Sequence, residues 1–247
     1  MDHAIYTALG GANAALNRQA VTSNNLANAT TNGFRAQISA YRAVPVNGPT
    51  VETRTLVVES TPGVDSTMGA INTTGRALDV ALPQDGWLAV ELPNGGEGYT
   101  RNGNIEVDSE GQLRVRGLPL MGDGGALTVP PQSALTIASD GTITALGAGD
   151  EPSSLALVGR IKLVTAEAKA LVHGDDGLFH SPAGEVATLP ADPDQQLMAG
   201  ALESSNVSPV KSMVDMISTA RNFDMHMKVI SSVDNNERSA NQLLSTG

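Results

Sequence analysis

A mainly β chain with an α-helix at each end is the fold class this sequence predicts, and three observations carry it. From Val210 to Thr246 there is neither a glycine nor a proline, in a chain that holds 26 and 13 of them. A second stretch with helical spacing, residues 2–29, lies at the opposite terminus. Between Leu78 and Met198 the hydrophobic period shortens to two and turn dipeptides recur at short intervals.

The C-terminal stretch reads as one long helix. Alternating steps of three and four from Met213 meet Met216, Ala220, Phe223, Met227, Ile230, Asp234, Glu237, Asn241 and Leu244. This a/d stripe is apolar in its first half and polar in its second. Ser208 is placed to cap the helix, and Pro209 at the first helical position lacks only an N–H that would have no partner there. A helix with such a seam gains its stability by packing that face on something else.

The same alternation runs through Ile5, Leu9, Ala12, Leu16, Gln19, Ser23 and Leu26 at the other end of the chain. Gly10–Gly11 and the asparagines at 13, 17, 24, 25 and 28 give that segment poor intrinsic helix propensity. It is predicted to be helical only when packed. The two terminal helices are therefore expected to pair as a coiled-coil-like helical domain made of residues 1–35 and 205–247. Asn32–Gly33 ends the first helix. Residues 36–77 are expected as an extended linker or β arm, in which Pro45–Pro62 is rich in proline, glycine and threonine and holds one strand candidate, Thr55–Glu59.

Residues 78–204 are expected to form an all-β domain. The strand candidates are Asp79–Leu82, Trp87–Leu92, Tyr99–Arg101, Ile105–Val107, Leu113–Val115, Leu135–Ala138, Ile143–Ala145 and Gly159–Val164. Asp85–Gly86, Asn94–Gly95, Asn102–Gly103, Glu110–Gly111, Asp140–Gly141 and Asp176–Gly177 punctuate the region as turns. In the strand from Trp87, alternation puts Trp87 and Ala89 on one face and Leu88, Val90 and Leu92 on the other. Aromatic residues are 3% of the chain, so the core is expected to be aliphatic.

Composition narrows the function. A formal charge of −11 argues against nucleic acid as a partner, and no apolar run approaches the roughly 20 residues of a membrane span. The start of the sequence has no basic segment followed by an apolar run, so a cleaved signal peptide is not expected. Without cysteine there are no disulfides and no thiolate metal sites. His3, His173, His180 and His226 show no i, i+4 ligand pair, and His173 and His180 beside Asp175–Asp176 read as a solvated turn rather than a metal site. Asp108-Ser109-Glu110-Gly111 lacks the spaced acidic ligands of a calcium loop and reads as a hairpin turn. The glycines at 122–125 lack the lysine of a phosphate loop, and no nucleophile elbow occurs. The expectation is a non-enzyme with no cofactor and no metal.

Specific blocks carry a family resemblance. Asn24-Asn25-Leu26-Ala27-Asn28 and Thr31-Asn32-Gly33-Phe34-Arg35 are followed by Leu78-Asp79-Val80-Ala81-Leu82, Asp85-Gly86-Trp87-Leu88, Tyr99-Thr100-Arg101-Asn102-Gly103 and Leu202-Glu203-Ser204-Ser205-Asn206-Val207. In that order they resemble the bacterial flagellar rod and hook proteins, and the opening residues resemble the proximal-rod members more than the distal-rod ones. Trp87-Leu88 departs from the paired phenylalanines common in that family. The resemblance implies a structural subunit whose terminal helices pack into a hollow shaft, lining its channel, with β domains outside. It also implies export by the flagellar type III apparatus without a cleaved signal, assembly in the periplasm, and other proximal- and distal-rod subunits as partners. The assembly interface is then expected to draw on Ile5, Leu9, Leu16, Leu26, Phe34, Met213, Met216, Phe223, Met227, Ile230 and Leu244. The rival expectation from another class is a secreted enzyme or binding module whose helices form a private stalk.

Overall fold

The computed structural model describes residues 2–45, 55–83, 85–147, 154–174, 176–182 and 188–245, with the backbone alone for residues 2, 3, 55, 56, 58–62 and 243–245. The chain divides into two compact units. A helical unit is made of residues 1–29, 37–65 and 207–247, and a β unit of residues 30–36 and 66–206.

The helical unit contains α1 (Asp2–Ala27), α2 (Pro209–Ser245) and a long antiparallel hairpin of β1 (Gln37–Pro45) and β2 (Thr55–Val64). α2 begins where the sequence places it, with Pro209 as its first residue. The Ser212 N–H donates to the Ser208 carbonyl at 3.0 Å. The strand expected at Thr55–Glu59 runs on to Val64 and pairs with β1, so this stretch is built into the helical unit. The register slips between Ile38 and Ala40, opposite Pro62, which has no N–H to give to a ladder. Tyr41 of β1 donates its hydroxyl to the Ala14 carbonyl at 3.1 Å, which fastens the hairpin to α1.

The β unit is built on a five-stranded antiparallel sheet in the order Leu163–Thr165, Gly86–Glu91, Glu97–Thr100, Phe179–His180, Val172–His173. A three-stranded sheet of Ala134–Ile137, Thr142–Leu146 and Ala156–Arg160 lies in the same unit, as does one of Ile105–Val107, Leu113–Val115 and Leu118–Pro119. The strand expected at Gly159–Val164 is broken in two. Ala156–Arg160 serves one sheet and Leu163–Thr165 another, because buried Ile161 sits between them, bridged to Gly122. Trp87 through Val90 are buried on both faces, since theirs is an interior strand with other elements packed on each side. The core is aliphatic, with Val80, Leu82, Leu88, Val90, Ile105, Leu113, Leu120 and Ile143 fully enclosed.

Candidate assembly surface

α1 and α2 pack on each other, but along a different phase from the stripe read in the sequence. On α1 the buried or half-buried positions include Ile5, Ala8, Ala12, Ala15, Gln19, Thr22 and Leu26. On α2 they include Ser212, Met216, Thr219, Phe223, His226, Ile230, Val233, Glu237 and Ala240. Steps of three and four still hold throughout. About half of each expected stripe is retained, and the rest has moved one residue toward the N-terminus, from Leu9 to Ala8, Leu16 to Ala15, Met213 to Ser212 and Met227 to His226.

The physical reason is close approach. Small side chains let the two backbones draw together, and a close approach is seen at Gly11. A Cβ built there would lie 2.4 Å from Cε1 and 2.7 Å from Nε2 of His226, so the imidazole rests directly on the glycine. Gly11, one of the glycines that weaken α1 as an isolated helix, thus supplies the socket for a residue of α2.

This packing leaves large apolar side chains in solvent. Leu9 is 45% exposed, Leu16 51%, Met213 52% and Met227 45%. Tyr6, Val210, Val214, Ile217, Met225 and Val229 are exposed as well. Burying such a half-exposed leucine or methionine against a neighbour is worth about 1 kcal/mol. The expected interface residues therefore fall into separate groups. Ile5, Leu26, Met216, Phe223 and Ile230 are half-buried in the helical unit, while Leu9, Leu16, Met213 and Met227 stand exposed. Phe34 belongs to the β unit, where it meets His173 edge-on at 6.4 Å. The side chain of Leu244 is outside the described residues. His173 is not solvated as expected, since its other neighbour is the ring of Phe179 at 5.0 Å.

The signature blocks have structural duties of their own. Asn25 of α1 accepts the Gln37 N–H at 2.8 Å and donates to the Gln37 carbonyl at 2.9 Å, imitating a strand partner and fixing the start of β1. In the β unit, Arg35, Arg101 and Glu203 form a buried triad. Glu203 receives Arg35 at 2.9 Å and Arg101 at 2.7 Å, with all three side chains at most 1% exposed. Arg101 also donates to the carbonyls of Gly86 at 2.6 Å and Leu82 at 3.0 Å, and its guanidinium lies 5.5 Å over the Trp87 ring. Arg35 donates to the Thr67 carbonyl, and the Gly69 N–H donates to Glu203 at 2.9 Å. Gly33, at φ +69°, presses its Cα against the Arg101 carbonyl and donates its N–H to the Glu203 carbonyl at 2.8 Å. Asn206 completes the clasp by accepting the Ala36 N–H at 2.7 Å and donating to Thr67 at 2.9 Å. In the sequence these residues stand only as motif letters, and their role comes from the fold. The available signal was charge set among small and apolar neighbours, which has to be paired if the blocks are buried.

Comparison with known proteins agrees with this layout. Residues 5–35 match a family model described as flagella basal body rod protein, 81–145 one described as the flagellar hook protein FlgE/F/G D1 domain, and 198–243 one described as flagellar basal body rod FlgEFG protein C-terminal. Over 99% of both chains the sequence is 59% identical to the flagellar basal-body rod protein FlgF of Salmonella typhimurium. It is 57% identical to FlgF of Escherichia coli over the same share, and 33% identical to FlgF of Buchnera aphidicola subsp. Schizaphis graminum over 98% of both chains. The chain belongs to the flagellar basal-body rod protein family. Each of the three family segments contributes one member of the triad: Arg35 from the first, Arg101 from the second and Glu203 from the third. In this member of the rod family the three matched regions thus meet at one carboxylate. Among the described residues no helix is long and apolar enough to cross a membrane, and no group of His, Asp and Glu side chains could hold a metal ion.

Proposed function

We propose that this chain is a structural subunit of the flagellar basal-body rod, of the proximal-rod kind, and that it polymerises through the exposed apolar faces of α1 and α2. In this reading the two helices form a coiled-coil-like inner domain of the hollow shaft. The assembled shaft transmits torque and conducts exported subunits, and the chain itself reaches the periplasm through the flagellar export apparatus. The observation that carries the reading is the apolar stripe of Leu9, Leu16, Met213 and Met227, which remains in solvent after the helices have packed on each other. Large apolar side chains left exposed on packed helices are the kind of surface that a partner covers. Membership of the rod family supports other rod subunits as the partners of this face.

The test separates the two faces of α2. Met227→Asp changes an exposed position and should leave the chain folded, with its helix content intact, yet unable to join the rod, so that cells do not swim. Ile230→Asp puts a carboxylate into a half-buried position in the helical unit and should cost about 2–3 kcal/mol of helix packing as well as motility. Normal swimming with Met227→Asp would mean that the exposed stripe is not the assembly face.

A further inference from the structure

The clasp places two permanently charged side chains in the interior of the β unit against a single carboxylate. Arginine cannot escape burial by giving up its proton, so an unpartnered guanidinium stays charged. Arg35 lies at the head of the β unit and Glu203 near its end, while Arg101 is 102 positions before the residue it pairs with. The segment that delivers Glu203 also supplies the strand Ala201–Glu203, which pairs with Ile71–Thr73, and the Asn206 side chain that ties Ala36 to Thr67. Until that segment arrives, two guanidiniums would sit close together inside the unit without a counter-charge. Trp87, fully buried under Arg101, would share the defect.

We propose that Glu203 is a folding checkpoint: the β unit closes only when the segment Ala201–Asn206 has been seated, so that a chain whose end is still held elsewhere keeps this unit open. Breaking a buried pair by removing one partner shifts a folding equilibrium on the order of a hundredfold to a thousandfold, which is enough to decide between closed and open. The closure takes both ends of the unit, Thr30–Ala36 as well as Ala201–Asn206, so neither end emerging alone suffices. The inference stands on the β unit alone and does not depend on the rod reading. If the chain is delivered through a narrow channel as proposed above, the checkpoint keeps its largest unit threadable until almost all of it has passed.

The experiment is force spectroscopy on the full-length chain. The sequence has no cysteine, so handles attach through Thr30→Cys and Ser208→Cys, both at exposed positions. Pulling should release the unit's two segments, residues 30–36 and 66–206, in one event of about 50 nm, because peeling the terminal segment and losing the unit are the same step. A first step of about 2 nm, with the rest of the unit surviving it, would overturn the proposal. Glu203→Gln, which keeps shape and loses charge, should lower the closed-to-open ratio at equilibrium on the order of a hundredfold or more. Adding Arg35→Met to Glu203→Gln should recover about tenfold of that loss by removing one unpartnered cation. A Glu203→Gln chain that refolds like the parent, or a double variant worse than the single, would equally overturn it.

Discussion

Substituting Gly11 by alanine sets two opposing effects against each other at one residue. In a helix interior the change is worth about 1 kcal/mol in favour of folding, from propensity alone. Against it stands the contact with His226, where the new methyl would lie 2.4 Å from Cε1, 2.7 Å from Nε2 and 2.9 Å from Nδ1. Carbon atoms in ordinary contact sit about 3.5–4.0 Å apart, so the ring has to retreat by about 1 Å. Forcing a methyl into packed space costs about 1–3 kcal/mol. The net expectation for Gly11→Ala is therefore a helical unit between unchanged and about 2 kcal/mol less stable. In a His226→Ala background the obstruction is gone, and the same substitution should stabilise by about 1 kcal/mol. A double-mutant cycle, followed by far-ultraviolet circular dichroism of the full chain in denaturant, should give a coupling of about 1–3 kcal/mol between the two positions. If Gly11→Ala stabilises by the propensity value in both backgrounds, the imidazole does not rest on Gly11 and the phase assigned to the helix pairing is wrong.

Two further outcomes follow from the β unit. Burial pushes the Tyr99 hydroxyl up to about 12; the N–H of Leu189, donated at 2.7 Å, opposes this, and the Glu97 carboxylate that it bonds at 3.0 Å adds to it. The folded chain thus keeps a proton that the unfolded chain releases above the ordinary value of 10.0, so stability is intact below that pH and falls between pH 10 and about 12. Denaturation curves across that range should show the slope, and Tyr99→Phe should flatten it. The clasp also sets where the chain can be cut. A fragment of residues 30–206 should keep the fluorescence of Trp87 seen in the full chain, whereas one of residues 40–200 lacks both Arg35 and Glu203 and should lose about 3–5 kcal/mol. Equal stability of the two fragments would show that the triad is dispensable.

Much of the architecture is legible in the sequence because local chemistry specifies it. The absence of glycine and proline over α2, the Ser208–Pro209 start and the turn dipeptides between short strands all act within a few residues. What local patterning cannot decide is which side of an amphipathic helix meets its partner. Leu9 and Leu16 satisfy the heptad spacing as well as Ala8 and Ala15 do and are far more apolar, yet the alanines are buried and the leucines exposed. An apolar side chain has two possible destinations, the chain's own helix or a neighbouring subunit, and spacing does not distinguish them. The five-residue run from Gly86 to Val90 reads as alternating and is buried throughout, since burial of its second face comes from elements distant in sequence. The clasp is harder still, because Arg35, Arg101 and Glu203 are joined only by the tertiary fold. Gly33 and Asn25 were visible as motif letters, but their duties depend on a carbonyl and a strand that no neighbouring residue reveals.

The proposal to be tested is that Leu9, Leu16, Met213 and Met227 pack between chains while Ala8, Ala12, Ala15 and Thr219 pack within the chain. A density map of the assembled rod that resolves side chains tests this most directly. The account predicts Leu9, Leu16, Met213 and Met227 covered by helices of neighbouring subunits, with Ala8, Ala12, Ala15 and Thr219 covered by the chain's own helices. A map in which the leucines and methionines face water, or in which Ala12 meets a different subunit, would contradict it.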